Sequence, residues 1–210
     1  MKKLLFSFAA LPFLAACEAG TPPAGSTTPA SVPQEGAAPA GAPQAGAAPT
    51  ETGGHFILQA PGSQVIEVLI DNGNITGPNI MVTRYRTATD HALRGMVLGK
   101  TVDVAITDTK ATGIFGAGPL DITTEHRDGK VHISGLVGGS MTDFELNMKL
   151  LKGRIGQCAY DLTWNGKAYE GPRGCGSSAA RVTVYVPATL GKWSEPEMAA
   201  CLGVLMSQPQ

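Results

Sequence analysis

The stretch "GMVLGKTVDV", residues 95 to 104, returns in altered form as "GRIGQCAYDL", residues 153 to 162. Each opens on Gly, places a second Gly three or four positions on, and closes with an acid between two apolar residues. Glycines recur at 77, 95, 113, 135, 153 and 171, in steps of 18, 18, 22, 18 and 18 residues. Eighteen residues hold two strands of about six or seven residues and two tight turns, which is one β-hairpin step of a meander. The second glycines, Gly99, Gly116, Gly138, Gly156 and Gly174, are expected in the turns at one end, where positive φ is needed. Turns at the other end are "DNGN" at 71 to 74, "DTK" at 108 to 110, "RDGK" at 127 to 130 and "WNGK" at 164 to 167. "GGSM" at 138 to 141 reads as a slightly longer turn that absorbs the 22-residue step.

The acids lie in Val102-Asp103-Val104, Leu120-Asp121-Ile122, Phe144-Glu145-Leu146 and Tyr160-Asp161-Leu162. On a strand the two apolar neighbours point one way and the acid the other, so each repeat buries two side chains and wets one. Equivalent strands of a meander lie two apart, which spaces the four carboxylates about 10 Å from one another. Calcium ligands sit about 2.4 Å from the ion, so the row reads as a solvated outer face and not as a metal site.

This count gives about eleven or twelve strands, the last being "ARVTVYVP" at 180 to 187. A helix over 194–207 follows, with Ser194 and Glu197 as a capping box, Pro196 in the first turn, and Met198, Cys201, Leu202, Leu205 and Met206 at helical spacing. The fold class is therefore all-β: an antiparallel meander of repeated hairpins curled into a strongly curved sheet, a barrel or a sandwich. The C-terminal α-helix is expected to plug an end or an open seam.

The 210-residue chain carries 16 Lys+Arg against 17 Asp+Glu, a balance that lacks the basic excess of a nucleic-acid binder. Its first sixteen residues, "MKKLLFSFAALPFLAA", have two lysines and an apolar run too short to span a bilayer, the pattern of a secretory signal. The segment ends in "LAAC" and resembles the lipobox of bacterial lipoproteins, in which the cysteine is diacylated and becomes the new N-terminus. The resemblance implies that Cys17 is lipidated and that the mature chain is membrane-anchored without a spanning helix. Glu18 after the cysteine, where Asp is missing, implies the outer membrane.

Residues 18 to 54 contain no aromatic residue and no Lys or Arg, and Val32 is their one large aliphatic. Such a Pro/Ala/Gly-rich linker cannot offset its ordering entropy and is expected to be a disordered spacer ahead of a body over 55–210.

With Cys17 assigned to the lipid, three cysteines remain in an oxidising compartment. Cys158 and Cys175 are expected to pair across the Asn165-Gly166 turn, a bulge or longer turn correcting the register by one. Cys201 is then a buried free thiol, with a bond from Cys201 to Cys175 as the alternative. No two Cys or His have the short spacing of a zinc site, and no cofactor is implied. A two-residue Asp128-Gly129 loop pairs Arg127 with Lys130, His126 with Val131 and Glu125 with His132, the last as a cross-strand contact. No dinucleotide fingerprint, P-loop, HExxH or EF-hand loop occurs.

These features point to a binding or interaction module on a tether, with an envelope protein as partner. One alternative is a carrier of a small lipophilic ligand in a barrel cavity. A hydrolase is the other, and Asp90, His91 and Ser140 are its only material.

Overall fold

The computed structural model describes residues 54–208 apart from 63, 64, 72, 89 and 90. The signal segment, Cys17, all but the last residue of the 18–54 linker, and Asp90 lie outside the described residues. Fourteen strands run in chain order: β1 (His55–Gln59), β2 (Ile66–Ile70), β3 (Asn74–Gly77), β4 (Ile80–Arg86), β5 (His91–Val97), β6 (Lys100–Ile106) and β7 (Lys110–Phe115). They continue as β8 (Gly118–Arg127), β9 (Lys130–Val137), β10 (Ser140–Leu146), β11 (Leu150–Ile155), β12 (Cys158–Trp164), β13 (Tyr169–Cys175) and β14 (Ser178–Tyr185). Each pairs antiparallel with its chain neighbours, and β1 closes on β14 through Ile57 opposite Tyr185, making a closed barrel. The all-β meander is thus a barrel, with fourteen strands and not eleven or twelve. The surplus comes from short elements, such as the four-residue β3, that are below the length the 18-residue step assumes.

The glycines that mark the step, Gly95, Gly113, Gly135, Gly153 and Gly171, sit inside strands. A Cβ on Gly113 would lie 2.0 Å from the carbonyl oxygen of Asp103 on the preceding strand, and one on Gly153 would lie 2.3 Å from that of Asp143. Gly135 and Gly171 meet Asp121 and Asp161 in the same way. Neighbouring backbones therefore approach where no side chain fits, and the strands coil there to close the barrel. This contact also corrects the repeat. Gly153 pairs with Phe144, so the acid equivalent to Asp103 is Asp143, and Glu145 is one rung further along.

Gly138-Gly139 is an ordinary two-residue turn between Val137 and Ser140, and the 22-residue step is absorbed by the long hairpin of β8 and β9 instead. Gly174 pairs with Ala179 inside the β13–β14 ladder, while Gly176, at φ 60°, takes the turn. Gly99, Gly116, Gly138 and Gly156 occupy turns at positive φ as expected, and they define the glycine end of the barrel. At the opposite end, Asp71, Asn147 and Asn165 each accept two backbone N–H bonds across their own turn. Here side-chain oxygens do the work of a tight backbone turn. We call this the Asx end.

Val102, Val104, Leu120, Ile122, Phe144, Tyr160 and Leu162 point inward and are buried, while Asp103, Asp121, Asp143 and Asp161 are exposed. The acids are interleaved with bases on neighbouring strands: Arg94 to Asp103 at 3.2 Å, Lys152 to Asp161 at 3.1 Å and Lys130 to Glu145 at 2.7 Å. An apolar interior under a charged outer belt is the reverse of a lipid-facing barrel, whose outward band is apolar.

An eight-stranded barrel is filled by side chains alone, whereas fourteen strands leave room for more. Helix α1 (Glu195–Met206) fills it. Pro196, Glu197 and every residue from Ala199 to Met206 are buried, so all faces of the helix are covered. At the Asx end Glu195 meets His126 of β8 at 3.1 Å; at the glycine end Ser207 lies against Gly156. The helix therefore runs the length of the lumen. It is not amphipathic and does not merely plug an end or a seam: Ala199, Ala200, Gly203 and Val204 are as buried as the residues at the expected helical spacing. A helix apolar on all sides is stable only where all sides are packed.

Candidate functional site

Helix α1 is held at both ends by polar groups that the apolar wall would otherwise exclude. Its N-terminus carries the expected capping box of Ser194 and Glu197. Both the backbone N–H and the hydroxyl of Ser194 donate to Glu197 Oε2 at 2.9 Å. The other partner comes from the wall. Arg84 of β4 donates to both carboxylate oxygens, Nε to Oε1 at 2.8 Å and a terminal nitrogen to Oε2 at 2.7 Å, and its guanidinium lies 4.6 Å from the Trp193 ring centre. Burial alone would raise the Glu197 carboxyl; the hydrogen bonds from Arg84 and Ser194 outweigh it and hold the group down to about 2. A bidentate guanidinium–carboxylate pair is among the strongest of charge-assisted contacts, and here it fixes the helix axially.

At the other end Tyr160 of β12 donates its hydroxyl to the Met206 carbonyl at 2.6 Å, and burial pushes that phenol up to about 12. Arg173 of β13 is buried, donates to the Gln208 carbonyl, and lies 5.5 Å from the Tyr160 ring centre. Lys100 of β6 donates to the Gln208 side chain at 3.1 Å. Tyr160 thereby satisfies a carbonyl that the last helical turn leaves open, and Gln208, held by Arg173 and Lys100, donates its side-chain amide to another, that of Val204.

Cys158 and Cys175 are bonded and stand directly opposite each other on β12 and β13. The register correction comes from a longer turn: Trp164 pairs with Tyr169, leaving a four-residue loop at 165–168 in place of a two-residue Asn165-Gly166 turn. Arg173 donates to the Cys158 sulfur at 3.3 Å. Cys201 is free and buried in the lumen, where burial pushes its thiol far above the ordinary value.

Two hollows are large enough for a ligand, one at the glycine-end mouth of the barrel and one on its outer wall. A bowl of about 590 Å³ at the glycine end is lined by turn backbone, Lys100, Ser140 and the Cys158–Cys175 bond. A second hollow, about 840 Å³, lies on the outer wall against Met81, Met96 and Leu98. Met81 and Met96 are cross-strand partners on β4 and β5, and both are more than half exposed. Leu98 occupies its turn at φ 50°, a conformation that costs a branched side chain about 1 kcal/mol and that Asn or Gly would take more readily. Methionine pairs on an outer wall form adaptable apolar contact surfaces. Sequence periodicity did not single out this face, since each methionine looks like one more residue of an alternating strand.

The hydrolase residues are not brought together. His91 begins β5 at the Asx end and Ser140 begins β10 at the glycine end, about a strand length or 20 Å away; Asp90 is outside the described residues. His126 and His132 also part: His126 contacts Glu195, and His132 contacts Glu145 at 3.5 Å. Glu125 does stand opposite His132 in the ladder, but its carboxylate bonds Arg127. Among the described residues no three His, Cys, Asp or Glu side chains gather as a metal site. No protein-family model, curated protein or solved structure matches this chain.

Proposed function

We propose that the protein is an outer-membrane lipoprotein, acylated at Cys17, whose barrel works as an interaction module for another envelope component. The observation that carries this reading is the occupied lumen: the chain's own helix takes the space that a lipophilic cargo would need, so recognition falls to the outer wall and rims. The Met81/Met96 face is the candidate contact, because it combines exposed, deformable apolar side chains with a strained turn. The lipid anchor rests on the resemblance of "LAAC" to a lipobox and supplies residence at the membrane.

Two experiments test the reading. Cys17→Ser moves the protein from the membrane to the soluble envelope fraction, and retention in the membrane fraction contradicts acylation. A photo-crosslinking residue at position 81 yields a discrete adduct in intact cells, whereas one at Thr112, exposed elsewhere on the wall, does not. Equal labelling from both positions, or none from position 81, contradicts the interaction face.

A further inference from the structure

Two adjacent turns at the Asx end share a composition found in no other pair. Asn147-Met148-Lys149 joins β10 to β11, and Asn165-Gly166-Lys167-Ala168 joins β12 to β13. They are clamped together: Trp164 donates its backbone N–H to the Lys149 carbonyl at 2.8 Å, and Tyr169 donates its hydroxyl to the Asn147 carbonyl at 2.7 Å. On this base Met148 is 86% exposed and Trp164 39% exposed, a large apolar area for turn tips. Trp164 packs edge-on against Tyr169 with ring centres 5.1 Å apart, which fixes the indole at the rim. Lys149 and Lys167 are exposed and have no ion-pair partner among the described residues, whereas in the neighbouring hairpin Arg127 and Lys130 are engaged by Glu125 and Glu145.

The position of these turns gives the pattern its meaning. The described body begins at Gly54, whose carbonyl accepts from Ile70 at the same end, and β1 is two strands from β13 in the barrel order. The segment that leads from Cys17 thus enters within roughly 10–15 Å of the turn at 165–168, and about 20–25 Å along the wall from the turn at 147–149, whose strands are four and five places from β1. An indole at a fixed depth, an exposed thioether and two unpaired lysines are the chemistry of a bilayer interface: aromatic rings settle at the headgroup level, and lysines are drawn to anionic headgroups.

We infer that the sector of the Asx end formed by these two turns docks on the anionic surface of the bilayer to which the chain is anchored, with Trp164 and Met148 entering the headgroup region and Lys149 and Lys167 pairing with lipid phosphates. This deepens the lipoprotein reading and rests on it, and it leaves the glycine end and the Met81/Met96 face turned away from the lipid.

The test uses the unacylated chain, Cys17→Ser from residue 17 onward, so that the face is measured apart from the anchor. It is mixed with vesicles rich in phosphatidylglycerol and with vesicles of phosphatidylcholine alone. Salt-sensitive co-sedimentation with the anionic vesicles is expected, together with quenching of Trp164 by brominated lipid that disappears in Trp164→Phe. Each lysine near such a surface contributes about fivefold, so Lys149→Gln with Lys167→Gln lowers the partition coefficient about 25-fold. Both lysines are exposed, so the double variant keeps the fold and its unchanged melting temperature serves as the control. Binding equal on the two vesicle types, binding unchanged in the double variant, or no binding overturns the docking face. None of these bears on acylation, which fractionation of the full-length Cys17→Ser protein decides separately.

Discussion

Arg84 on β4 and Glu197 on α1, 113 residues apart, form a bidentate pair in which both side chains are less than a tenth exposed. Two buried charges are costly unless they answer each other, so removing one partner is the severe change. Glu197→Gln or Arg84→Ala is expected to cost about 3–5 kcal/mol in chemical denaturation, because each strands a buried charge or its partners. Replacing both, Arg84→Met with Glu197→Leu, should recover most of that loss, since an apolar pair suits the surrounding lumen. A double variant as unstable as the singles would show that the pair does more than compensate its own burial.

The same pair sets the acid limit. The Glu197 carboxyl is held down from its ordinary 4.5 to about 2, so its contribution is complete above pH 4.5 and is lost as pH falls towards 2. Denaturation midpoints measured from neutral pH to pH 2 should fall steeply in the wild type over that window and less in Glu197→Gln. Equal acid sensitivity of the two would place the responsible carboxylate elsewhere.

Close approach at Gly113 is a sterner constraint than the turn at Gly129. A methyl on Gly113 meets the Asp103 carbonyl oxygen at 2.0 Å, whereas one on Gly129 meets nothing within 4 Å and bears only the cost of φ 71°. Gly129→Ala should cost about 1 kcal/mol. Gly113→Ala should cost several times more, or prevent folding, since the carbonyl belongs to the sheet and cannot yield without breaking the ladder. Similar melting temperatures for the two variants would contradict the backbone contact.

The Cys158–Cys175 bond spans 17 residues, and on the chain-entropy estimate a loop of that size stabilises by roughly 3 kcal/mol. Cys158→Ser should lower Tm by several degrees, and Arg173 would then lose its sulfur contact as well. Cys201→Ser should leave the disulfide intact in non-reducing peptide mapping. A linked peptide containing Cys201 would contradict the register of β12 and β13.

Local physics was readable in the chain, and long-range placement was not. Two-faced alternation around Asp103 and Asp161, the Asp128-Gly129 hairpin register, the Ser194–Glu197 box and the disulfide all depend on residues close in sequence, and all are present. The spacing of Gly95, Gly113, Gly135, Gly153 and Gly171 gives the hairpin step, but spacing does not reveal that each glycine faces a carbonyl across the ladder. Arg84 carries no local sign that its partner is Glu197. The signal that would have placed α1 in the lumen is its composition: "AACLGVLM" at 199 to 206 has no polar face, and a helix with no polar face needs a wall on every side. The exposed rim at Trp164 was likewise hidden, because alternation does not separate a strand's last inward residue from one left at an open rim, and Met148 lies in a turn that alternation does not reach.

Helix α1 fills the barrel from end to end, and Cys201 reports on this directly as the one free cysteine among the described residues, buried in the helix. In the chain carrying Cys17→Ser, with the disulfide intact, native-state labelling with a thiol reagent should be very slow. It should rise with denaturant in step with global unfolding, as expected for a group reachable only when the barrel opens. Prompt labelling under native conditions, without loss of the folded signal, would mean that the helix lies outside the wall or leaves it readily, and would return the lumen to any ligand able to enter.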